Sequence, residues 1–163
     1  MLKDNLHKVQ TQIAEALSRR TETKLTGDKV TLVAVTKNHP VDVVLESLAL
    51  GVTNIGENRV QEAASKWPAL RDAHPDIELH LIGRLQSNKA DEAVTLFDVI
   101  HSLDRLSLVA ALGKAMRKAD RELPCFLQVN IGAEDQKGGC AIEALPDLIA
   151  ATRDEGIIIA GLM

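Results

Sequence analysis

The chain has 163 residues, 45% of them apolar, and a formal net charge of −4. That length and apolar content allow one domain with its own core and argue against disorder. The acidic balance, with two Phe, one Trp and no Tyr to stack on bases, argues against nucleic-acid binding. No apolar run approaches the ~18 residues needed to cross a bilayer, so no membrane contact is expected. The opening stretch "MLKDNLHKVQTQIAEAL" carries acids and no continuous apolar segment, and does not read as a signal peptide. The expected setting is cytoplasmic. Cys125 and Cys140, neither a CxxC pair nor part of a dense framework, are expected as reduced thiols.

Leu2, Leu6, Val9, Ile13 and Leu17 recur at helical spacing and predict an opening helix outside the main sheet. "RRTETKLTGDK" is a polar connection. A unit then repeats in which an apolar strand ends in polar residues and a helix follows. Strands are expected at 30–36, 52–55, 78–82, 97–101, 125–131 and 157–162. The first, "VTLVAVT", has an unbroken apolar run from Leu32 to Val35 and reads as buried on both faces. Pro40 suits the first position of the next helix. Gly51 and Gly156 are expected to close helices. Glu57 or Asn58, Ser87 or Asn88, and Asp104 are expected to begin others.

Strand–helix alternation implies parallel strands with right-handed crossovers. Such units build either a doubly wound sheet or a (β/α)8 barrel. No GxGxxG turn follows the first strand, and polar residues recur towards the ends of nearly all the strands: Lys37, Asn58, His80, Ser102 and Asn130. In a barrel those ends form one rim, which carries the chemistry. Barrel architecture is therefore expected, although only six strands can be counted.

Lys37 stands where a buried strand gives way to a helix. An amine sheltered there is a better nucleophile at neutral pH and can condense with a carbonyl compound or a pyridoxal cofactor. Asn58, just past Gly56 and Glu57, offers donors and an acceptor to a ring substituent or to the helix start. His80 can face a ligand or stack on an aromatic ring, or be a satisfied core residue. The five histidines lack ligand spacing and no HExxH is present, so no metal site is expected. Ser102 can hydrogen-bond a cofactor or make a turn. Asn130 requires a partner if buried. "GAEDQKGG" is a charged loop in which Lys137 is expected to be solvated.

Six segments together, "LVAVTK", "IGENRVQE", "HLIGRLQSNK", "HSLDR", "LQVNIGAEDQKGG" and the terminal "GLM", stand in the order and at the spacing of one family. On them the chain resembles the pyridoxal-phosphate homeostasis proteins, also described as alanine-racemase N-terminal-domain-like and as proline-synthetase co-transcribed proteins. The resemblance implies an α/β fold of the (β/α)8 TIM-barrel type, the fold-type III barrel. About six of the eight strand–helix units plus the N-terminal helix are present, as one domain over residues 1–163. It implies that pyridoxal 5′-phosphate (PLP) forms an internal aldimine with Lys37, in a pocket mapping onto Asn58, His80, Ser102, Asn130 and Met163. It assigns no catalytic residue. The implied role is that of a carrier or regulator which buffers PLP or hands it to apo-enzymes, as a monomer. Three departures stand out. The last two strands, which supply a Ser/Gly-rich loop and an Arg-Ile-Gly-type segment for the phosphate, are expected to be lacking. Leu79 replaces an aromatic residue before His80, and Arg59 replaces one after "GEN".

A two-base racemase of this fold needs a second acid/base opposite the cofactor, a tyrosine from another domain, and this chain has no tyrosine. That disfavours racemisation. The open alternatives to a PLP carrier are a Schiff-base barrel enzyme, a weak amino-acid racemase or aldolase-like lyase, and a truncated barrel that no longer retains PLP. An open six-strand arc is expected to be marginally stable as a monomer and prone to non-native or swapped oligomers.

Overall fold

The central strands bury apolar residues under the helices, and that demand organises the protein. The computed structural model describes residues 1–21, 29–132, 134 and 136–163. Most of the "RRTETKLTGDK" connection, and Ala133 and Asp135 of the charged loop, lie outside the described residues. The strands are β1 (Ala34–Val35), β2 (Asn54–Glu57), β3 (Glu78–Leu81), β4 (Val99–Leu103), β5 (Cys125–Leu127) and β6 (Ile159–Leu162). All pair in parallel and in strict chain order, β1-β2-β3-β4-β5-β6. That order decides between the two architectures: a doubly wound sheet reverses at a switch point, whereas barrel strands add one after another.

The helices are α1 (Leu2–Ser18), α2 (Val41–Ala49), α3 (Val60–Ala73), α4 (Ala90–Leu96), α5 (Leu106–Ala119) and α6 (Leu145–Asp154). The core lies between sheet and helices, where Ile55, Leu79, Leu81, Ile100 and Leu127 meet Trp67, Phe97, Leu108 and Leu112, all fully buried. Helix α1 buries no residue completely and lays only part of its apolar stripe against the rest. Among the described residues, no helix is long and apolar enough to cross a membrane. Asp98 ties several elements together. It accepts from Arg71 of α3 at 2.6 and 2.7 Å and from the Leu79 amide of β3 at 2.8 Å.

Several expectations are corrected. The first strand pairs over two residues only, and it is not buried on both faces: Val30 and Val35 are 48% and 43% exposed. The physical reason is its place at the sheet edge, with β2 as its only strand partner among the described residues. The fourth strand runs two residues further than expected, so Ser102 sits inside it. The fifth ends at Leu127, after which Val129 makes an isolated bridge to Cys140. The expected side-chain caps do not form. Pro40, Arg59 and Arg105 occupy the N-cap positions of α2, α3 and α5. Asp104 instead pairs with Arg105 at 2.7 Å and accepts the Gly139 amide at 3.3 Å, tying the β5 side of the rim to β4. The glycines after α2 and α6 do take left-handed backbone, with φ of +85° and +73°.

Candidate functional site

Strand β1 delivers Lys37 to the C-terminal rim, the end where barrels carry their chemistry. The Lys37 side chain is exposed, not sheltered as the apolar run had suggested, because β1 has no second neighbouring strand among the described residues. The residues on either side of it are firmly held. Thr36 is buried, and its amide donates to the Gly56 carbonyl of β2 at 3.0 Å. Its hydroxyl donates to Glu57 Oε1 at 2.7 Å, and its carbonyl accepts from Lys66 Nζ at 3.1 Å. Asn38 takes left-handed backbone with φ of +60°, a region that asparagine tolerates better than most residues. Its amide donates to Glu62 Oε1 at 2.6 Å. That bond, helped by Lys66, holds the Glu62 carboxyl below the usual carboxylate range.

Glu57 is the hub behind this loop. It is fully buried, and its Oε1 also accepts from Lys66 Nζ at 2.9 Å and Trp67 Nε1 at 3.1 Å. Its other oxygen, Oε2, has no partner among the described residues. Sequence reasoning missed Glu57, Glu62 and Lys66 as a unit. The helical i,i+4 spacing of Glu62 and Lys66 was a legible signal, but the burial of Glu57 beside them was not.

Asn58 follows on the same rim and is half-buried. It lines a cleft of about 280 Å³ with Arg59, Gln61, Arg84, Gln86 and Lys89. The β3 exit presses against it so closely that a Cβ on Gly83 would fall 2.0 Å from the Asn58 carbonyl oxygen. Only glycine permits that approach.

Asn130 and Met163 come together on the far side of the rim, lining a shared cavity of about 340 Å³. Asn130 is half-buried, and its side chain is engaged by its own loop: Nδ2 donates to the Glu134 carbonyl at 2.8 Å, and Oδ1 accepts the Glu134 amide at 3.2 Å. Met163 extends β6 by exchanging backbone bonds of 2.9 Å with Leu127 and Val129. Lys137 is largely solvated and pairs with Glu134 at 2.7 Å.

His80 and Ser102 lie deeper. The Ser102 hydroxyl is fully buried and has no partner among the described residues. His80 faces the opposite end of the strands, in a cavity of about 620 Å³ that also includes Asn54, Glu78, His101 and Phe126. Its Nε2 meets Asn54 Oδ1 at 3.0 Å and its Nδ1 meets His101 Nε2 at 2.9 Å. His101 in turn stacks on Phe126 with ring centroids 4.5 Å apart. This cavity lies at the N-terminal ends of the strands, where barrels place stability rather than chemistry. Of the six positions, Asn130 and Met163 share a cavity; Lys37 and Asn58 leave paired neighbouring strands, Asn58 in a cleft that does not include Lys37; His80 and Ser102 are each buried within their strands.

The histidine pair carries a pH prediction. Burial pushes the His101 imidazole down to about 4, with His80 opposing its charge further, and burial also lowers His80. An unfolded histidine takes up a proton near ~6.5. Between that pH and about 4 the unfolded chain therefore binds more protons than the folded one. The pair's contribution is complete above ~6.5 and drains away as the pH falls towards 4. Urea melts should show a loss on the order of 2 kcal/mol across this window, allowing for water in the cavity. A His101→Gln chain should show a flatter slope over the same range.

A sequential parallel barrel arc with a lysine at the exit of its first strand defines a class. The chain belongs to the alanine racemase N-terminal-domain family, whose model matches residues 11–163. Its group within that family is the pyridoxal phosphate homeostasis proteins. The Pseudomonas aeruginosa protein of that name is 36% identical over 161 residues, 98% of this chain and 68% of the relative. The Corynebacterium glutamicum protein is 36% identical over 132 residues, 77% of this chain and 58% of the relative. The chain therefore spans between 58% and 68% of the length of these two relatives. Among solved structures, PipY of Synechococcus elongatus with PLP bound superposes with a TM-score of 0.75 at 35% identity, over 94% of this chain and 68% of PipY. An alanine racemase from Clostridium difficile shares the fold, with a TM-score of 0.67 at 12% identity over 96% of this chain and 40% of the racemase.

Proposed function

We propose that this chain is a PLP-binding protein of intracellular PLP homeostasis, with Lys37 as the amine that holds the cofactor. The observation that carries this reading is an exposed primary amine on the C-terminal rim, set between two residues whose backbone is pinned. The donor set fits the aldehyde end of PLP. The amine is accessible, and Asn58 stands on the neighbouring exit with both amide functions to offer. PLP, when bound, supplies an aldehyde that condenses with such an amine. Asn130 and Met163 are assigned to the far wall of the pocket, and His80 and Ser102 to buried support beneath it. We read residues 1–163 as a single domain, the N-terminal part of a PLP barrel. The cytoplasm is its proposed location, and PLP-dependent apo-enzymes are its proposed recipients. The role is that of a carrier rather than a catalyst.

The test is reconstitution with PLP, followed by borohydride and peptide mapping. Covalent label is expected on Lys37, with the visible band lost in Lys37→Ala. An unchanged band in that variant, or label on another lysine, overturns the assignment. A second reading is favoured by one observation: β1 and β6 are both edges and expose Val35 and Leu162. A chain that takes up no PLP and elutes as a concentration-dependent oligomer would support a protein that acts through those edges.

A further inference from the structure

Lys37 lies between two unusually constrained residues. Thr36 is engaged at its amide, hydroxyl and carbonyl, and the last two bonds come from Glu57 and Lys66. Asn38 is held in left-handed backbone, and its amide is taken by Glu62. The Lys37 side chain itself makes no hydrogen bond or ion pair with the described residues, so the order lies in the backbone on either side.

The composition of this clamp is physically informative. Glu57 and the Lys66 side chain are 0% and 7% exposed, yet they form an ion pair. A buried pair is a poor stabiliser compared with well-packed apolar residues of the same volume, because desolvation offsets most of the attraction. Stability alone does not account for charges here. What the pair does is grip two atoms of Thr36, while Glu62, 25% exposed, bridges Lys66 to the Asn38 amide. An amine on a long flexible stem reacts well only if its root is fixed.

We propose that Glu62 and the Glu57–Lys66 pair are positioning residues for Lys37, fixing the backbone on both sides of its amine. This rests on the reading of Lys37 as the PLP-binding amine.

Glu62→Ala tests it while leaving the 2.9 Å Glu57–Lys66 contact in place, at the loss of the longer 3.4 Å contact from Glu62 to Lys66. Alanine keeps the helix but loses an acid from the first turn of α3 and its folded-state partners, so a modest drop in the thermal melt is expected. Amide exchange at Asn38 is expected to speed up by about tenfold or more. The PLP concentration for half-maximal Lys37 attachment should rise about tenfold, equivalent to about 1.4 kcal/mol. Glu62→Gln keeps an acceptor for the Asn38 amide and should behave as the parent does. The double variant Glu57→Gln with Lys66→Met removes the charges together, so it should fold yet attach PLP weakly. If the parent attaches PLP at Lys37 and Glu62→Ala attaches it equally well, with Asn38 exchange unchanged, the clamp is overturned alone. If the parent shows no attachment at Lys37, the site reading falls and takes the clamp's role with it.

Discussion

Lys66→Ala is expected to lower the unfolding free energy by about 3–5 kcal/mol. The reason is asymmetric. With Lys66 present, Glu57 Oε1 has a cation at 2.9 Å together with the Thr36 hydroxyl and the Trp67 indole. Without it, a fully buried carboxylate whose Oε2 already lacks a partner is left uncompensated. The Thr36 carbonyl also loses a donor. Domains of this kind have about 5–15 kcal/mol in total, so the variant should sit near the edge of folding. Urea denaturation at neutral pH measures it. Adding Glu57→Gln should recover more than half of the loss, since that change removes the stranded charge. A single-variant cost below ~1 kcal/mol would mean that Lys66 behaves as a surface ion pair, and the burial argument would be wrong.

Trp67→Ala is expected to cost about 3–5 kcal/mol, through lost burial and the cavity it leaves. Trp67 is the largest fully buried side chain, packed in the core between α3 and the sheet. Trp67→Phe separates the two roles of the residue. It fills most of the volume but removes the Nε1 donor to Glu57, so about 1–2 kcal/mol should be lost. Equal losses for both substitutions would show that the hydrogen bond, not the packing, dominates. Thermal melts of the three chains give the ranking directly.

These two effects bear on function because they meet at Glu57. The same carboxylate anchors the α3 core through Trp67 and the Lys37 loop through Thr36. Core packing and the pose of the amine are thus mechanically linked. Damage to the buried pair should be felt at the rim even where no residue of the rim is changed.

The succession of strands and helices was determined by the sequence alone. Apolar runs ended by polar residues, and stripes at helical spacing, are local patterns that report local backbone. The placement of Lys37 and Asn58 at strand exits was legible for the same reason: each lies within two residues of the end of its strand. Tertiary structure decided how exposed those residues are. Leu32–Val35 reads as a doubly covered strand, yet Val35 lies open because coverage depends on a neighbouring strand in space. His80 found its partners in Asn54 and His101, 26 and 21 residues away, and Glu57 found Thr36 at a separation of 21. Such pairings arise from strand register and helix placement, which no short window of sequence encodes.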